Sequence, residues 1–510
     1  MNSASPRSTG VRALLARAFA TPAPGAADGR RGTVLTLAAA AVLGAWMLAY
    51  KLQCFRGLAY TSDLFQFAQL ATSWLRGHLL EDNCYGDHLS IHTYFLALPL
   101  AVFVVPAGPA GLLLALALAF AGGFTAIVRI LRLFAVPLPA ALAWGGAATI
   151  MPLSVHVYQD VIYGFHVELL MPALALWLAY FLLRRHWTGS LLLAVALLAV
   201  KEETPVLAAA VAGMVFGEDA IRGLFQRTAS LRAKLGAINW PALAVAVVAV
   251  VALPVLLHIL KSHPAEGYSP GNFRRIRAVD HSELDGTGTL LGYFYDNWDV
   301  WLRSPQVNTW LGFALTGTFG LIALRPHFLI LGVGTTLIGW LMQDDLSWAP
   351  RLAPSLAFYQ VAGVLSFASA YHLAASGAGW RGRRRFVVAA AALILLVAGF
   401  RQQLRAAARA GEFYSLHPHL EITPADRLQA DALFAEYRRQ RQPDEPVIAS
   451  PSLFRYADYR SLYWEDRLAG RPTPVWMLRS YGSPGVPAPV DGYRLVGHAG
   501  RFALFRRDSP

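Results

Sequence analysis

Charge is what this 510-residue chain has least of: 15% of its residues are charged and 55% are apolar. A soluble domain carries about 25% charged and about 45–50% apolar residues. The shortage excludes a disordered tail protein, which stays solvated through its charge. Two cysteines are too few for a disulfide scaffold, and 43 glycines are too few for a collagen-like chain. Acidic residues are scarce as well, 31 against 44 lysines and arginines, for a net charge of +13. In a chain of this hydropathy (mean +0.42) that excess belongs to cytoplasmic loops that set orientation, not to a nucleic-acid surface. An internal repeat is missing too, and with it the inverted-repeat pattern of many transporters.

What is present is a series of apolar runs long enough to cross a bilayer, about 20 residues each. They fall near 33–52, 109–128, 136–153, 167–183, 238–260, 308–324, 327–342, 351–374 and 386–400. Segment 187–217 is broken by Lys201, Glu202 and Glu203 and reads as two short spans meeting at a polar turn. Segment 91–105 reads as a re-entrant or interfacial helix, because the basic 1–31 segment and the basic loops at 184–185, 218–237 and 381–385 must share the cytoplasmic side. The expectation is an all-α polytopic membrane protein of about eleven spans, N-terminus in and C-terminus out. The first apolar run is too long for a cleavable signal and no small-x-small site follows it before Lys51, so it reads as a signal anchor.

Three regions then lie outside the bilayer on the outer face: loop 53–90, loop 262–307 and a tail from about 402 to 510. The transmembrane domain is expected over 32–401. The tail reads as a small α/β or α+β domain, with a helix at DRLQADALFAEYRRQRQ and strands at VIASPSL, PVWMLRS and GYRLVGHAGRFALFRR. In an oxidising periplasm Cys54 and Cys84, both in the first outer loop, are candidates to pair.

Ionisable groups at the edge of lipid are costly and are functional candidates by default. Four clusters qualify. Asp63 and Gln66 follow the first span, and Phe65, Phe67, Leu70, Trp74 and Leu75 recur at helical spacing. Residues 62–76 therefore read as an amphipathic helix lying on the membrane, with Asp63 either an N-terminal cap or a carboxylate facing a reaction chamber. Asp87, His88, Ser90 and His92 end the same loop; they suit a metal, a phosphate or simple capping. Asp160, His166 and Glu168 lead into the span at 167, where a structural ion pair competes with a metal or substrate site. Lys201, Glu202 and Glu203 interrupt an apolar run. All four fall on one face, which suits transfer from a lipid-bound phosphate donor. An aspartate takes the proton of an acceptor hydroxyl, and Lys and His hold the departing phosphate.

The set Ser62-Asp63-Leu-Phe-Gln66, Asp87-His88-Leu-Ser90, Tyr163-Gly-Phe-His166-Val-Glu168 and Lys201-Glu202-Glu203 resembles the bacterial membrane-protein family known as domain of unknown function 2079. That family looks like a relative of the C-type (GT-C) membrane glycosyltransferases. The resemblance implies a GT-C-like fold, a bacterial inner-membrane location and a polyprenyl-phosphate-linked sugar as donor, with a divalent metal in some relatives. It also implies an acidic residue at the catalytic centre in the first outer loop, a place that Asp63 occupies. Gln66, Asp87, His88, Ser90, Lys201 and Glu202 are then the candidates for substrate or phosphate, and His166, Glu168 and Asp160 for a metal or for support. A transporter or flippase of a lipid-linked precursor, or a non-catalytic envelope assembly protein, is the alternative.

Overall fold

The computed structural model describes residues 29–225, 238–263, 318–325, 327–328, 330–332, 349–376, 422–442, 444–464 and 473–508. Residues 308–317 of the expected span 308–324, most of the expected span 327–342, all of 386–400 and residues 264–307 of the loop 262–307 lie outside the described residues. Among the described residues four helices are long and apolar enough to cross a membrane: α1 (Arg30–Arg56), a helix at Ala110–Leu133, and the Trp240–Leu260 and Leu352–His372 portions of two more. A bent pair, Leu138–Ile150 with Pro152–Gln159, makes a fifth when taken as one span. Its 53° bend falls where Met151 and Pro152 interrupt the backbone ladder.

In chain order, α2 (Ser62–Ser73) follows α1, then α3 (Ala101–Ala107), α4 (Ala110–Leu133), α5 (Leu138–Ile150), α6 (Pro152–Gln159), α7 (Met171–Leu183), α8 (Trp187–Leu198), α9 (Thr204–Phe225), α10 (Trp240–Ser262) and α11 (Ala349–Ser376). Helix α4 is the hub, packed against α1, α5 and α7, and α11 closes over α7. Outward-facing positions on the rim stay apolar: Val42 on α1 is 70% exposed and Val250 on α10 is 66% exposed. Exposed valines over several turns are stable only against hydrocarbon. Segment 95–107 is a 3-10 turn leading into the short α3, less than the ~20 residues a crossing needs. The expected break at Lys201, Glu202 and Glu203 is present, within the gap between α8 and α9.

The tail contains α12 (Pro424–Gln440), whose start is fixed by a capping box between Thr423 and Asp426. It packs on a five-stranded sheet of β3 (Val447–Ala449), β4 (Leu462–Tyr463), β5 (Trp476–Ser480), β6 (Tyr493–Ala499) and β7 (Phe502–Arg507), in the order β4-β3-β5-β7-β6. The β3 pairings are parallel and the β7 pairings antiparallel.

Two expectations about the first loop are corrected. Helix α2 does not lie on the membrane surface, because every residue from Leu64 to Ser73 is buried. Its apolar side meets the 95–107 segment, while Phe65 packs edge-on against Phe454 of the tail at 5.6 Å. Only Trp74, Leu75 and Arg76, in the 3-10 turn that follows, are exposed. Nor do Cys54 and Cys84 form a disulfide; both are buried thiols. Cys54 sits in the last turns of α1 between Tyr50 and Tyr60, whereas Cys84 belongs to the hairpin of β1 (Glu81–Asp82) and β2 (Gly86–Asp87).

Candidate functional site

Helix α2 presents three polar side chains at i, i+3 and i+6, which lie along one side of a helix. Asp63, Gln66 and Gln69 each tie it to a different part of the chain. Asp63 stands in the first turn, where a carboxylate is favoured by the helix dipole. Its Oδ1 accepts from the Ser62 hydroxyl at 2.6 Å and its Oδ2 from His166 Nε2 at 2.6 Å. His166 Nδ1 donates in turn to Asp160 Oδ2 at 2.8 Å. His166 and Asp160 are buried, while the Asp63 side chain keeps 20% of its surface open. The result is a carboxylate at the mouth of a buried imidazole–carboxylate chain. Burial pushes the His166 imidazole down, but Asp160 and Asp63 outweigh it and lift it from 6.5 to about 10. The ring is therefore an imidazolium that donates on both sides at neutral pH.

The turn that carries Asp160 and His166 is held from beneath. Lys51, fully buried near the end of α1, donates from Nζ to the carbonyls of Gln159 and Gly164, each at 2.6 Å. Gly164 takes φ +81°, and a Cβ there would come within 2.6 Å of the Tyr60 ring. Only glycine satisfies both conditions.

One turn along α2, Gln66 Nε2 donates to Asp82 Oδ2 at 3.3 Å, and the same oxygen accepts from His88 Nδ1 at 2.8 Å. Asp82 Oδ1 accepts the amides of Cys84 and Tyr85, which closes the hairpin. His88 Nε2 is buried without a hydrogen-bond partner among the described residues. Asp87 and Ser90 bond locally: Asp87 caps the 88–90 turn through the Leu89 amide, and the Ser90 hydroxyl donates to the Asp87 carbonyl.

The remaining two clusters meet around Tyr94. Its hydroxyl donates to Glu168 Oε1 at 2.7 Å, and Lys201 Nζ lies 3.5 Å from that oxygen and 3.6 Å from Glu203 Oε1. Glu202 accepts from His92 Nδ1 at 2.9 Å and from the Thr93 amide at 3.3 Å. Burial alone pushes Lys201 down, and the glutamates Glu203, Glu168 and Glu202 reverse this and keep it charged. Burial raises Glu203. Phe67 joins the two halves, 5.6 Å from the His166 ring and 5.1 Å from the Tyr94 ring, and Tyr94 stacks on His88 at 5.4 Å.

The structure thus brings the four sequence clusters into one contiguous network. It does not make a metal site of them: among the described residues no group of three or more His, Cys, Asp or Glu side chains could hold a metal ion. His166 spends both nitrogens on carboxylates, while Glu168 turns to Tyr94 and Lys201. Of the two expectations for His166, Glu168 and Asp160, a metal or support, these contacts are of the supporting kind. Sequence reasoning passed over Lys51, Asp82 and Tyr94 as site residues. A lysine ending an apolar run reads as an interfacial anchor, and a lone tyrosine in an apolar segment gives no signal.

A family model covers residues 58–455, a stretch that holds every residue of this network except Lys51. The chain belongs to the family described as Predicted membrane protein (DUF2079). None of the curated proteins matches it. Among solved structures it is similar to the crystal structure of ArnT from Cupriavidus metallidurans bound to undecaprenyl phosphate, with a TM-score of 0.44 and 13% identity over 93% of this chain and 97% of that one.

Proposed function

We propose that this member of the family is a GT-C-like glycosyltransferase of the bacterial inner membrane. In this reading it moves a sugar from a polyprenyl-phosphate donor to an envelope acceptor on the outer face. The observation that carries the proposal is the partly open Asp63 carboxylate, fixed on one side by Ser62 and on the other by the buried His166–Asp160 pair. A carboxylate oriented in this way, with part of its surface open, suits removal of a proton from an acceptor hydroxyl. The hydroxyl oxygen attacks the anomeric carbon, the bond from that carbon to the phosphate oxygen breaks, and the polyprenyl phosphate leaves with the electron pair. Asp63 receives the hydroxyl proton. His88, Gln66 and Lys201 are assigned to the phosphate, and Asp87, Ser90 and Glu202 to ordering that side of the site. The donor class comes from the resemblance of the motif set to the C-type enzymes.

The same reading has about eleven crossings, with residues 1–31 cytoplasmic, 32–401 in the membrane domain and 402–510 periplasmic. Asp63→Asn tests it. Transfer of sugar from polyprenyl-phosphate donors to envelope glycans, followed by mass spectrometry in a deletion strain complemented with either form, should be lost while the folded protein accumulates normally. Full transfer by Asp63→Asn sinks the proposal.

A second reading has its own observation. Lys201 is buried between Glu168 and Glu203, an arrangement that also serves proton-coupled movement of a lipid-linked precursor. Substrate accumulation in sealed vesicles with no new glycosidic bond would favour it.

A further inference from the structure

Lys51 has no part in the proposed reaction, and its surroundings are unusual for a lysine. It lies in a candidate membrane span, with no exposed surface. Burying an ammonium is costly unless its donors are met. Here two N–H groups are taken by the Gln159 and Gly164 carbonyls, and the Tyr60 ring lies 5.4 Å away. Gln159 is the last residue of α6, where a helix leaves carbonyls unpaired and favours a cation. Gly164 ends the turn that starts there, and its amide donates back to the Asp160 carbonyl at 2.9 Å.

One ammonium therefore grips both ends of the 159–164 turn. Asp160 sits just inside the first grip, in a left-handed conformation (φ +36°), and His166 follows two residues after the second. The middle of the same turn has a second hold, because the Ile162 carbonyl accepts from the Thr61 amide at 3.0 Å. Thr61 immediately precedes α2 and stands two residues before Asp63. The turn is thus clamped between α1 and the start of α2, and the two clamps together set the separation of Asp160, His166 and Asp63.

We propose that Lys51 is a positioning residue: its ammonium, bridging the Gln159 and Gly164 carbonyls, holds the 159–164 turn so that His166 bonds Asp160 and Asp63 at once. Its importance for transfer rests on the function proposed above, whereas the geometry itself does not. Without the ammonium, two buried carbonyls lose their partner and the turn relaxes. Asp160 then leaves Nδ1 of His166, and the imidazole no longer donates on both sides.

The test reads that imidazole directly. The full chain, labelled with 15N-histidine and held in lipid nanodiscs at a single neutral pH, is compared with Lys51→Met, Lys51→Arg and Met47→Ala, with His166 assigned through His166→Gln. Met47 is a fully buried residue one turn earlier on α1, so Met47→Ala loosens the helix without touching the turn. The wild type should show both His166 nitrogens protonated and hydrogen-bonded. Lys51→Met should convert this to a neutral, single-tautomer pattern, Lys51→Arg should restore the double signature at least in part, and Met47→Ala should leave it unchanged. If Lys51→Met does not fold, Lys51→Gln, which keeps a donor and removes the charge, is read in the same way. A wild-type His166 pattern in whichever of these two folds overturns the proposal, as does an equal change in Met47→Ala. The measurement needs no substrate, so its outcome is separable from that of the Asp63→Asn transfer assay.

Discussion

Asp63 and His166 stand 103 residues apart in the chain, and their Oδ2 and Nε2 atoms lie 2.6 Å apart. With Asp160 on the other ring nitrogen, the imidazole is a cation held between two acids. Removing either support should free the Asp63 carboxylate to rotate. On the proposed function, His166→Gln and Asp160→Asn should each lower sugar transfer by roughly ten- to a hundredfold, less than the loss expected in Asp63→Asn, since they disturb orientation and leave the proposed proton acceptor in place. Initial rates in reconstituted vesicles check this; variants equal to the wild type contradict it.

The pH dependence of stability has a definite sign. His166 has a folded pKa of about 10 against an ordinary 6.5, because Asp160 and Asp63 outweigh its burial. Its contribution is fully present below the unfolded value and is lost as pH rises towards the folded one. Thermal unfolding in detergent should therefore show Tm declining between pH 6.5 and about 10. His166→Gln should start lower and lack that decline. A parallel decline in the variant would assign the effect to other groups.

Gly164→Ala tests the floor of the site. The new Cβ meets the Tyr60 ring at 2.6 Å while the backbone stays at φ +81°. A cost of about 1–3 kcal/mol is expected from backbone strain alone, visible as a lower midpoint in chemical unfolding. Gly146→Ala is the control, since its Cβ meets nothing within 4 Å.

Gln69 fastens the tail to the site helix. Its Nε2 donates to the Tyr459 and Leu462 carbonyls at 2.6 and 3.0 Å, and its Oε1 accepts the Asn83 amide at 2.9 Å. Asn83 Nδ2 adds bonds to the Arg460 and Leu462 carbonyls. Gln69→Ala removes the partners of the buried Tyr459 carbonyl and the Asn83 amide, while the Leu462 carbonyl keeps Asn83 Nδ2, and should destabilise by about 1–3 kcal/mol. Limited proteolysis should then release the 422–508 region sooner than in the wild type; an unchanged cleavage rate would show that the clamp does not hold the tail.

The sequence was most readable where one helix face or one apolar run decided the structure. The spans α1, α4, α10 and α11 follow directly from apolar length, and the tail helix and four of its five strands follow from periodicity. The short β4 gave no pattern of its own, because its two residues are defined by the β3 pairing alone. Asp63, His166, Glu168 and Lys201 were legible as charges too expensive to be decoration. What could not be read was the cover over α2. Phe65 and Gln69 look like a membrane-facing stripe and a polar edge until Phe454 and Leu462, nearly 400 positions later, are brought against them. The cysteines misled for a similar reason: loop separation says nothing about which way each thiol faces.

The Gln69–Leu462 contact also bears on how the protein comes into being. Helix α2 emerges early in synthesis with its buried amide groups uncovered, and the strand that satisfies them is made 393 residues later. Until then the Asp63 helix has no lid. A chain truncated before Tyr459 carries the Asp63 helix without the carbonyls that Gln69 Nε2 meets, so the site helix is finished only when the tail is.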